Sequence, residues 1–259
     1  MSTEDVVIEN VTDGVVQLRL NRPERMNALG FEMSERLNDA VQRIVADKAR
    51  VMLVRGTGKA FCAGADLKER RAMAPEKRAA HNAIINVFID AVANAPIPTI
   101  ALVNGAALGG GCELALACDL RIAASDAQIG LTETRIGAIP GAGGTQRLPR
   151  YIGAPRALEL MMTGEPISGT RAEEIGLVNY AVPADALDEK ARALASVIAS
   201  RSPIGLREIK QLVYDGMELP LKEGIRRERE GLLRVIQKAD YAEGLAAFAE
   251  RRPPKFTGE

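Results

Sequence analysis

Residues 15–20, Val-Val-Gln-Leu-Arg-Leu, alternate apolar and polar positions and stop at Asn21-Arg22-Pro23. That is the pattern of a half-buried strand closed by a turn. The period then changes: Leu37, Val41, Ile44 and Val45 recur at helical spacing across 31–45. The apolar run 51–54, closed by Gly56-Thr57-Gly58, predicts a buried strand. A helix with Pro75 in its first turn carries Ile84, Ile85, Phe88, Ile89 and Val92 on one face and ends at Pro96 and Pro98. A buried strand over 99–103 is followed by Gly109-Gly110-Gly111, which opens a helix through Ala117, and by a strand over 120–124. A glycine-rich loop from Gly137 to Gly144 leads into a helix with Pro155 near its start. Ser168 is placed to cap a short helix ending at Gly176, and 178–182 is the last strand. From Leu187 the signal is helical, over 187–200, 203–214, 221–238 and 241–250.

Strands alternating with helices predict an α/β unit over residues 1–200, with a helical region over 201–259. A length of 259 residues suits one large domain with such an appendage. Aromatic residues make up only 3% and Trp is absent, so the core has to be aliphatic. Lys+Arg and Asp+Glu both number 34, and this zero net charge argues against a general polyanion-binding surface. The run Arg226-Arg-Glu-Arg-Glu230 reads as a solvated helix face with i,i+4 pairs Glu223/Arg227 and Arg226/Glu230. Met1-Ser2-Thr3-Glu4-Asp5 is acidic and has no apolar core, so neither a secretory nor a transit leader is expected. The longest apolar stretch, from Ile100 to Cys118, holds Asn104, four glycines and Glu113, which excludes it as a membrane span. Cys62, Cys112 and Cys118 show no CxxC spacing, so the expectation is a reducing, cytoplasmic setting with neither disulfides nor a metal site.

Several motifs fail on inspection. Gly56-Thr57-Gly58-Lys59 resembles the end of a phosphate loop but is followed by Ala60 in place of a hydroxyl residue. The segment from Gly141 to Gly144 has Gln146 where a dinucleotide fingerprint needs its third glycine. The single histidine, His81, has no partners for nucleophilic or metal chemistry in its helix, so packing is its expected role. Cys62 and Cys112 read as small buried hydrophobes. Glu113 is different, because it interrupts the apolar run around Leu114-Ala-Leu-Ala117. A carboxyl there is costly unless paired or useful, and burial raises its pKa toward the range of proton transfer. Glu133 comes 20 residues later, and spacing alone does not bring the two together. Gly109 to Gly111 at a helix start offers free N–H groups to a developing oxyanion. The turn Ala63-Gly64-Ala65-Asp66-Leu67 after the strand Ala60-Phe61-Cys62 can supply another.

Taken together, Phe61-Cys-Ala-Gly-Ala-Asp-Leu-Lys68, the stretch Leu108-Gly-Gly-Gly-Cys-Glu113 through Leu120, and Ile139-Pro-Gly-Ala-Gly-Gly-Thr-Gln-Arg-Leu148 resemble the enoyl-CoA hydratase/isomerase (crotonase) family. So do Asn21-Arg-Pro23, Asn27-Ala-Leu29 and the tail from Gly244 to Phe256, and the likeness runs the length of the chain. The stretch from Phe61 to Arg70 and the ending Arg251-Arg-Pro-Pro-Lys255 are most like methylglutaconyl-CoA hydratase-like members. The resemblance implies a spiral of ββα units with a C-terminal helical region that builds trimers, commonly paired as hexamers. It implies an acyl-CoA thioester substrate, with CoA part of the substrate and no separate cofactor or metal. It implies an oxyanion hole from the N–H groups of Ala65 and Gly110, with Glu113 activating water and Glu133 moving a proton at C2. An isomerase of the same family is the alternative. CoA contacts are expected at Arg25, Ala63, Ala65, Asp66, Leu67, Lys68 and Gly110. Phe248 and Arg251 of the tail are expected to reach a CoA, with Arg251 standing where relatives often carry Lys. Walls for the acyl chain fall in the loops between Ala72 and Phe88. Some members bind RNA through a basic helix. The matching cations Arg43, Lys48 and Arg50 are interrupted by Asp47 and lack interleaved aromatics, which argues against nucleic acid as a partner.

Overall fold

The computed structural model describes residues 5–259, so the leader-free reading of Met1 to Glu4 lies outside the described residues. The chain opens with a hairpin, β1 (Val6–Thr12) and β2 (Val15–Leu20), and a helix, α1 (Phe31–Ala46). Strands β3 (Val51–Gly56) and β4 (Ala60–Cys62) precede α2 (Leu67–Ala72) and α3 (Pro75–Ala93). Then come β5 (Thr99–Val103), β6 (Ala106–Leu108) and α4 (Gly110–Ala117), followed by β7 (Leu120–Ala124) and β8 (Gln128–Gly130). Helices α5 (Gly144–Ile152) and α6 (Ala154–Thr163), strand β9 (Ile167–Ser168), α7 (Gly169–Glu174), β10 (Tyr180–Val182) and α8 (Leu187–Ala199) complete the α/β part. The tail is helical: α9 (Pro203–Met217), α10 (Leu221–Val235) and α11 (Ala239–Glu250).

Two sheets result, a large one in the order β1-β2-β3-β5-β7-β10 and a small one in the order β4-β6-β8-β9. In three successive turns a strand of the large sheet is followed by a three-residue strand of the small sheet and then by helix. Each turn pairs in parallel with the one before, Val54 opposite Ala101 and Ala101 opposite Arg121 in the large sheet, Ala107 opposite Ile129 in the small. This is a spiral of ββα units. Both faces of the large sheet are covered, which is why its strands read as continuous apolar runs. Met52, Val54, Ala101 and Val103 meet α1 and α3 on one face, while Val51, Leu53, Ile100 and Leu102 meet Leu187, Ala191 and Ala195 of α8 on the other.

Several elements lie outside the periodicity reading, among them the short strands β6, β8 and β9 and helix α2, and two further differences have a direct physical reason. β1 is an additional strand on the sheet edge, only half-buried and irregular between Asn10 and Thr12, so its alternation is weak. The helix expected after the glycine-rich loop is two helices, because Gly153 adopts φ +81° and Pro155 restarts the chain in the first turn of α6. The tail is tied to the spiral through Asp119, which pairs with Lys210 at 2.9 Å and accepts from the Tyr214 hydroxyl at 3.1 Å. It also leaves Leu221, Leu232, Leu233, Leu245 and Phe248 exposed.

Asn27 holds the segment that reaches the small sheet. It is fully buried at φ +56°, a backbone region that asparagine tolerates better than most residues. Its Nδ2 donates to the Ala60 carbonyl at 2.8 Å and the Thr57 carbonyl at 3.0 Å, and its Oδ1 accepts from the Arg22 N–H at 2.9 Å. Asn27→Ala leaves these groups unsatisfied inside the protein and strains the left-handed backbone. The expected loss is about 3 kcal/mol, or a Tm lowered by about 6–12 °C. Calorimetry checks it, and an unchanged Tm would show that Asn27 is not a support.

Candidate active site

The parallel pairing of the small sheet brings its strand ends side by side. Cys62 of β4 lies opposite Ala107 of β6, and Leu108 of β6 opposite Gly130 of β8. The chain leaving β4 is therefore next to the chain leaving β6, and that next to the chain leaving β8. These three exits carry Ala65, Gly110 and Glu133. Ala65 is held by the segment after Asn27: Leu29 N–H donates to the Gly64 carbonyl at 2.8 Å, and Asp66 N–H to the Leu29 carbonyl at 2.9 Å. That bridge turns the Ala65 N–H away from Leu29. Gly110 is the first residue of α4, where an N–H has no intrahelical acceptor. Among the described residues, neither N–H donates to a backbone carbonyl. A Cβ built on Gly110 would stand 3.7 Å from the Ala65 nitrogen and clear of any clash. The Ala65 and Gly110 backbones therefore lie close together on the wall of one pocket.

Glu113 projects from the first turn of α4 and is only 3% exposed. Its Oε1 accepts from the Ala142 N–H at 2.7 Å and the Gly144 N–H at 2.8 Å. Burial raises its pKa, while these two donors and the Arg147 charge pull it back without cancelling the rise. Glu133 opens the short 3-10 turn Glu133–Ile136. Its pKa is pushed up to about 7, by burial first and by the Glu113 charge, against its own backbone N–H. Its Oε2 is buried without a hydrogen-bond partner. A pocket of about 120 Å³ is lined by Ala65, Gly110, Glu113 and Glu133 together. Two neighbouring backbone N–H groups without a backbone acceptor, a carboxyl steadied by amides and a carboxyl poised near neutrality suit the activation of a carbonyl compound with proton transfer beside it. A larger cavity of about 690 Å³ lies between the spiral and α9–α10 and holds neither glutamate nor N–H pair.

The other expected site residues separate. Ala63 and Leu67 line the pocket. Arg25 and Lys68 do not; both are exposed, on the turn and helix that flank it. Asp66 is buried and its side chain is engaged within the protein. Its carboxylate caps α2 through the Lys68 and Glu69 N–H groups, both at 3.1 Å, and pairs with Arg22 at 3.3 Å. Burial would raise its pKa, but the Glu69 N–H and the Arg22 and Arg25 charges hold it below its ordinary value. Phe248, 87% exposed, and Arg251 sit on α11 and at its end, and neither lines the pocket. The wall expected from loops between Ala72 and Phe88 is helix α3, which contributes Asn82 and Ile85. Arg70, Thr132 and Ile139 also line the pocket and were not anticipated. Cys62 and Cys112 are buried free thiols, with burial pushing Cys62 up to about 12, which leaves them inert. Of the basic-helix cations, Arg43 faces Asp47 at 3.6 Å, and Arg50 is occupied by the Ala199 carbonyl at 3.0 Å and by the Phe256 carbonyl.

The family model described as "Enoyl-CoA hydratase/isomerase" matches residues 10–259. The mouse protein named enoyl-CoA hydratase domain-containing protein 2, mitochondrial, is 43% identical, over 99% of this chain and 90% of its own. The human mitochondrial methylglutaconyl-CoA hydratase is 40% identical, over 100% of this chain and 79% of its own. The crystal structure of enoyl-CoA hydratase from Bacillus anthracis superposes with a TM-score of 0.96 at 45% identity, covering 99% of this chain and 100% of that one. A spiral fold shared over its full length, matched by identity of this order, makes the chain a member of the enoyl-CoA hydratase/isomerase family.

Proposed function

We propose that the protein is an enoyl-CoA hydratase, adding water across the C2=C3 bond of a 2-enoyl-CoA thioester. The observation that carries this is the presence of both Glu113 and Glu133 in the pocket that also holds the Ala65 and Gly110 N–H groups. An isomerase shuttles one proton and needs no pair; a hydratase must move one proton off water and deliver another to carbon.

The thioester oxygen takes the gap between the two N–H donors, so the enolate-like transition state is stabilised without reorganisation. Glu113 takes a proton from water as its oxygen bonds to C3. Glu133, with its pKa near 7, gives a proton to C2. The two roles divide because amide donors favour the ionised form of Glu113, whereas the unpartnered Oε2 of Glu133 favours its protonated form. CoA enters as part of the substrate, and the step calls for no metal or redox group. Arg25 and Lys68 are positioned beside the pocket to meet the CoA phosphates. Phe248 and Arg251 serve the CoA of a neighbouring subunit, in a trimer or a hexamer of paired trimers.

Glu113→Gln and Glu133→Gln each lower kcat for a short 2-enoyl-CoA by at least about 100-fold, the scale of general acid–base groups. In the wild type, hydration kcat/KM falls as pH rises through about 7, because the free enzyme then loses the Glu133 proton. Stopped assays across pH check both; full activity in either variant would overturn the assignment.

Gly110 works through its backbone, so its replacement tests the oxyanion site separately. The fold leaves room for a Cβ at Gly110, but the thioester oxygen needs that room. Gly110→Val should cost about 3 kcal/mol or more of transition-state stabilisation, over ~100-fold in rate, with Tm near the wild type. A stable variant that hydrates at the wild-type rate would remove Gly110 from the site.

The exposed apolar residues on α10 and α11, including Leu221, Leu232, Leu233 and Leu245, support assembly through the tail. Light scattering at micromolar concentration is expected to give a mass in multiples of three chains, and a monomer would refute it.

A further inference from the structure

Residues 139–142 lead from the turn after β8 toward α5, in the loop whose amides steady Glu113. Among the described residues, their backbone makes no hydrogen bond to other backbone. Two side chains hold this stretch instead, both at Ala142. The Ala142 N–H donates to Glu113 Oε1 at 2.7 Å, and the Ala142 carbonyl accepts from Arg147 Nη1 at 2.9 Å. The peptide between Ala142 and Gly143 thus turns its oxygen to Arg147, while the N–H groups of Ala142 and Gly144 turn to Glu113. Gly143 allows this reversal with a left-handed backbone, at φ +101° and ψ 0°. Successive N–H groups in such a turn form a concave anion site, and the anion here is the carboxylate of Glu113. The guanidinium lies against Gly143, in the space that a Cβ there would take.

Arg147 is itself fixed. Its backbone N–H donates to the Gly143 carbonyl at 2.8 Å, and its Nη2 pairs with Asp90 of α3 at 3.3 Å. Asp90 is 61% exposed, so the pair contributes little stability of its own. Its consequence is to aim the other arm of the fork at Ala142. Arg147 lines the larger cavity beside α9 and not the pocket that holds the glutamates. Whatever it does for the reaction therefore passes through the loop.

We propose that Arg147 is a positioning residue for the hydration: anchored on Asp90, it pins the Ala142 carbonyl so that the Ala142 and Gly144 N–H groups stay on Glu113 and hold that carboxylate ready for the water proton. The inference rests on the hydratase reading for the role of Glu113.

Without the clamp, the amides move off Glu113 and a positive charge is lost. Both changes favour the protonated form of Glu113, which cannot take a proton. The charged groups around Glu113 are Arg147 from α5, Glu133 from the turn after β8 and Arg70 from α2. Cys112, beside it in the chain, is kept protonated by burial.

Arg147→Met keeps the length of the side chain and removes the fork. It should lower kcat for a short 2-enoyl-CoA by at least about tenfold, the scale of a hydrogen bond to a charged group, with KM within about threefold of the wild type. The rising acid limb of the kcat/KM profile should move up by about one pH unit. Arg147→Lys keeps the charge but reaches only one of the two acceptors, so its kcat should lie between the two proteins. Hydrogen exchange followed by NMR needs no substrate, and the Ala142 and Gly144 amides should exchange at least about tenfold faster in Arg147→Met. Wild-type kcat in a folded Arg147→Met overturns the proposal, as does wild-type kcat in Arg147→Lys where Arg147→Met fails to fold. So does a lowered Tm with the acid limb and both amides unmoved, which would leave Arg147 a purely structural residue. Faster exchange at both amides in a protein that hydrates no 2-enoyl-CoA keeps the clamp and loses the hydratase reading. Undiminished hydration with exchange unmoved does the reverse.

Discussion

The register of the small parallel sheet is the constraint on which the site depends. β4, β6 and β8 are three residues long, too short to be stable alone. Their positions are set by the large sheet, which precedes each of them by a few residues and is buried on both faces. Because the pairing is parallel, all three strands finish at the same edge, and the segments leaving them converge there. Ligand sites of open parallel sheets lie at the carboxyl ends of strands for the same reason. A one-residue slip between β4 and β6 would separate the Ala65 and Gly110 N–H groups while leaving each loop intact.

Convergence also sets the electrostatics. Glu113 and Glu133 come from different exits of the sheet and share a small pocket, so each is desolvated and Glu133 feels the charge of Glu113. The pocket then distinguishes them by amide supply. Ala142 and Gly144 give Glu113 two backbone donors, whereas the Glu133 Oε2 has none. A carboxylate with two such donors tolerates ionisation better than Glu133, which has only its own backbone N–H and holds its proton to higher pH. The glycine-rich loop from Gly141 to Gly144, which fails as a nucleotide fingerprint, has this as its chemical use.

Much of this was legible in the sequence because it rests on local rules. Alternation gave β2, apolar runs gave the inner strands, and helical spacing gave α1 and α3. The glycine pattern at 109–111 marked the start of α4, and the cost of a carboxyl in an apolar helix singled out Glu113. The pairing of Glu113 with Glu133 was not readable from spacing, since it depends on β6 and β8 lying side by side. The family resemblance supplied it, and the structure places both in one pocket. The capping of α2 by Asp66 is visible in principle in the sequence as an acidic residue just ahead of a helix, a signal that the motif reading did not use. Arg70 could not be found that way. A charged residue late in a helix ordinarily faces water, and only the three-dimensional placement of His81 against α2 holds Arg70 on the pocket wall.

The three glycines at 109–111 show how one motif answers separate physical demands. Gly109 adopts φ +52° and ψ −124°, a conformation closed to residues with a Cβ, and this bend swings the chain from β6 into α4. A side chain on Gly111 would run into the Cys62 carbonyl, so its glycine lets α4 lie directly against the end of β4. Neither demand applies to Gly110, whose backbone is ordinary and whose missing Cβ would meet only the Gly64–Ala65 backbone, at contact distance. Fold stability therefore explains Gly109 and Gly111 and leaves Gly110 unexplained. A side chain at Gly110 would occupy the space beside the Ala65 N–H. The fold requires its two outer glycines for the approach of α4 to β4, and that approach sets the Gly110 backbone beside Gly64 and Ala65 on the pocket wall.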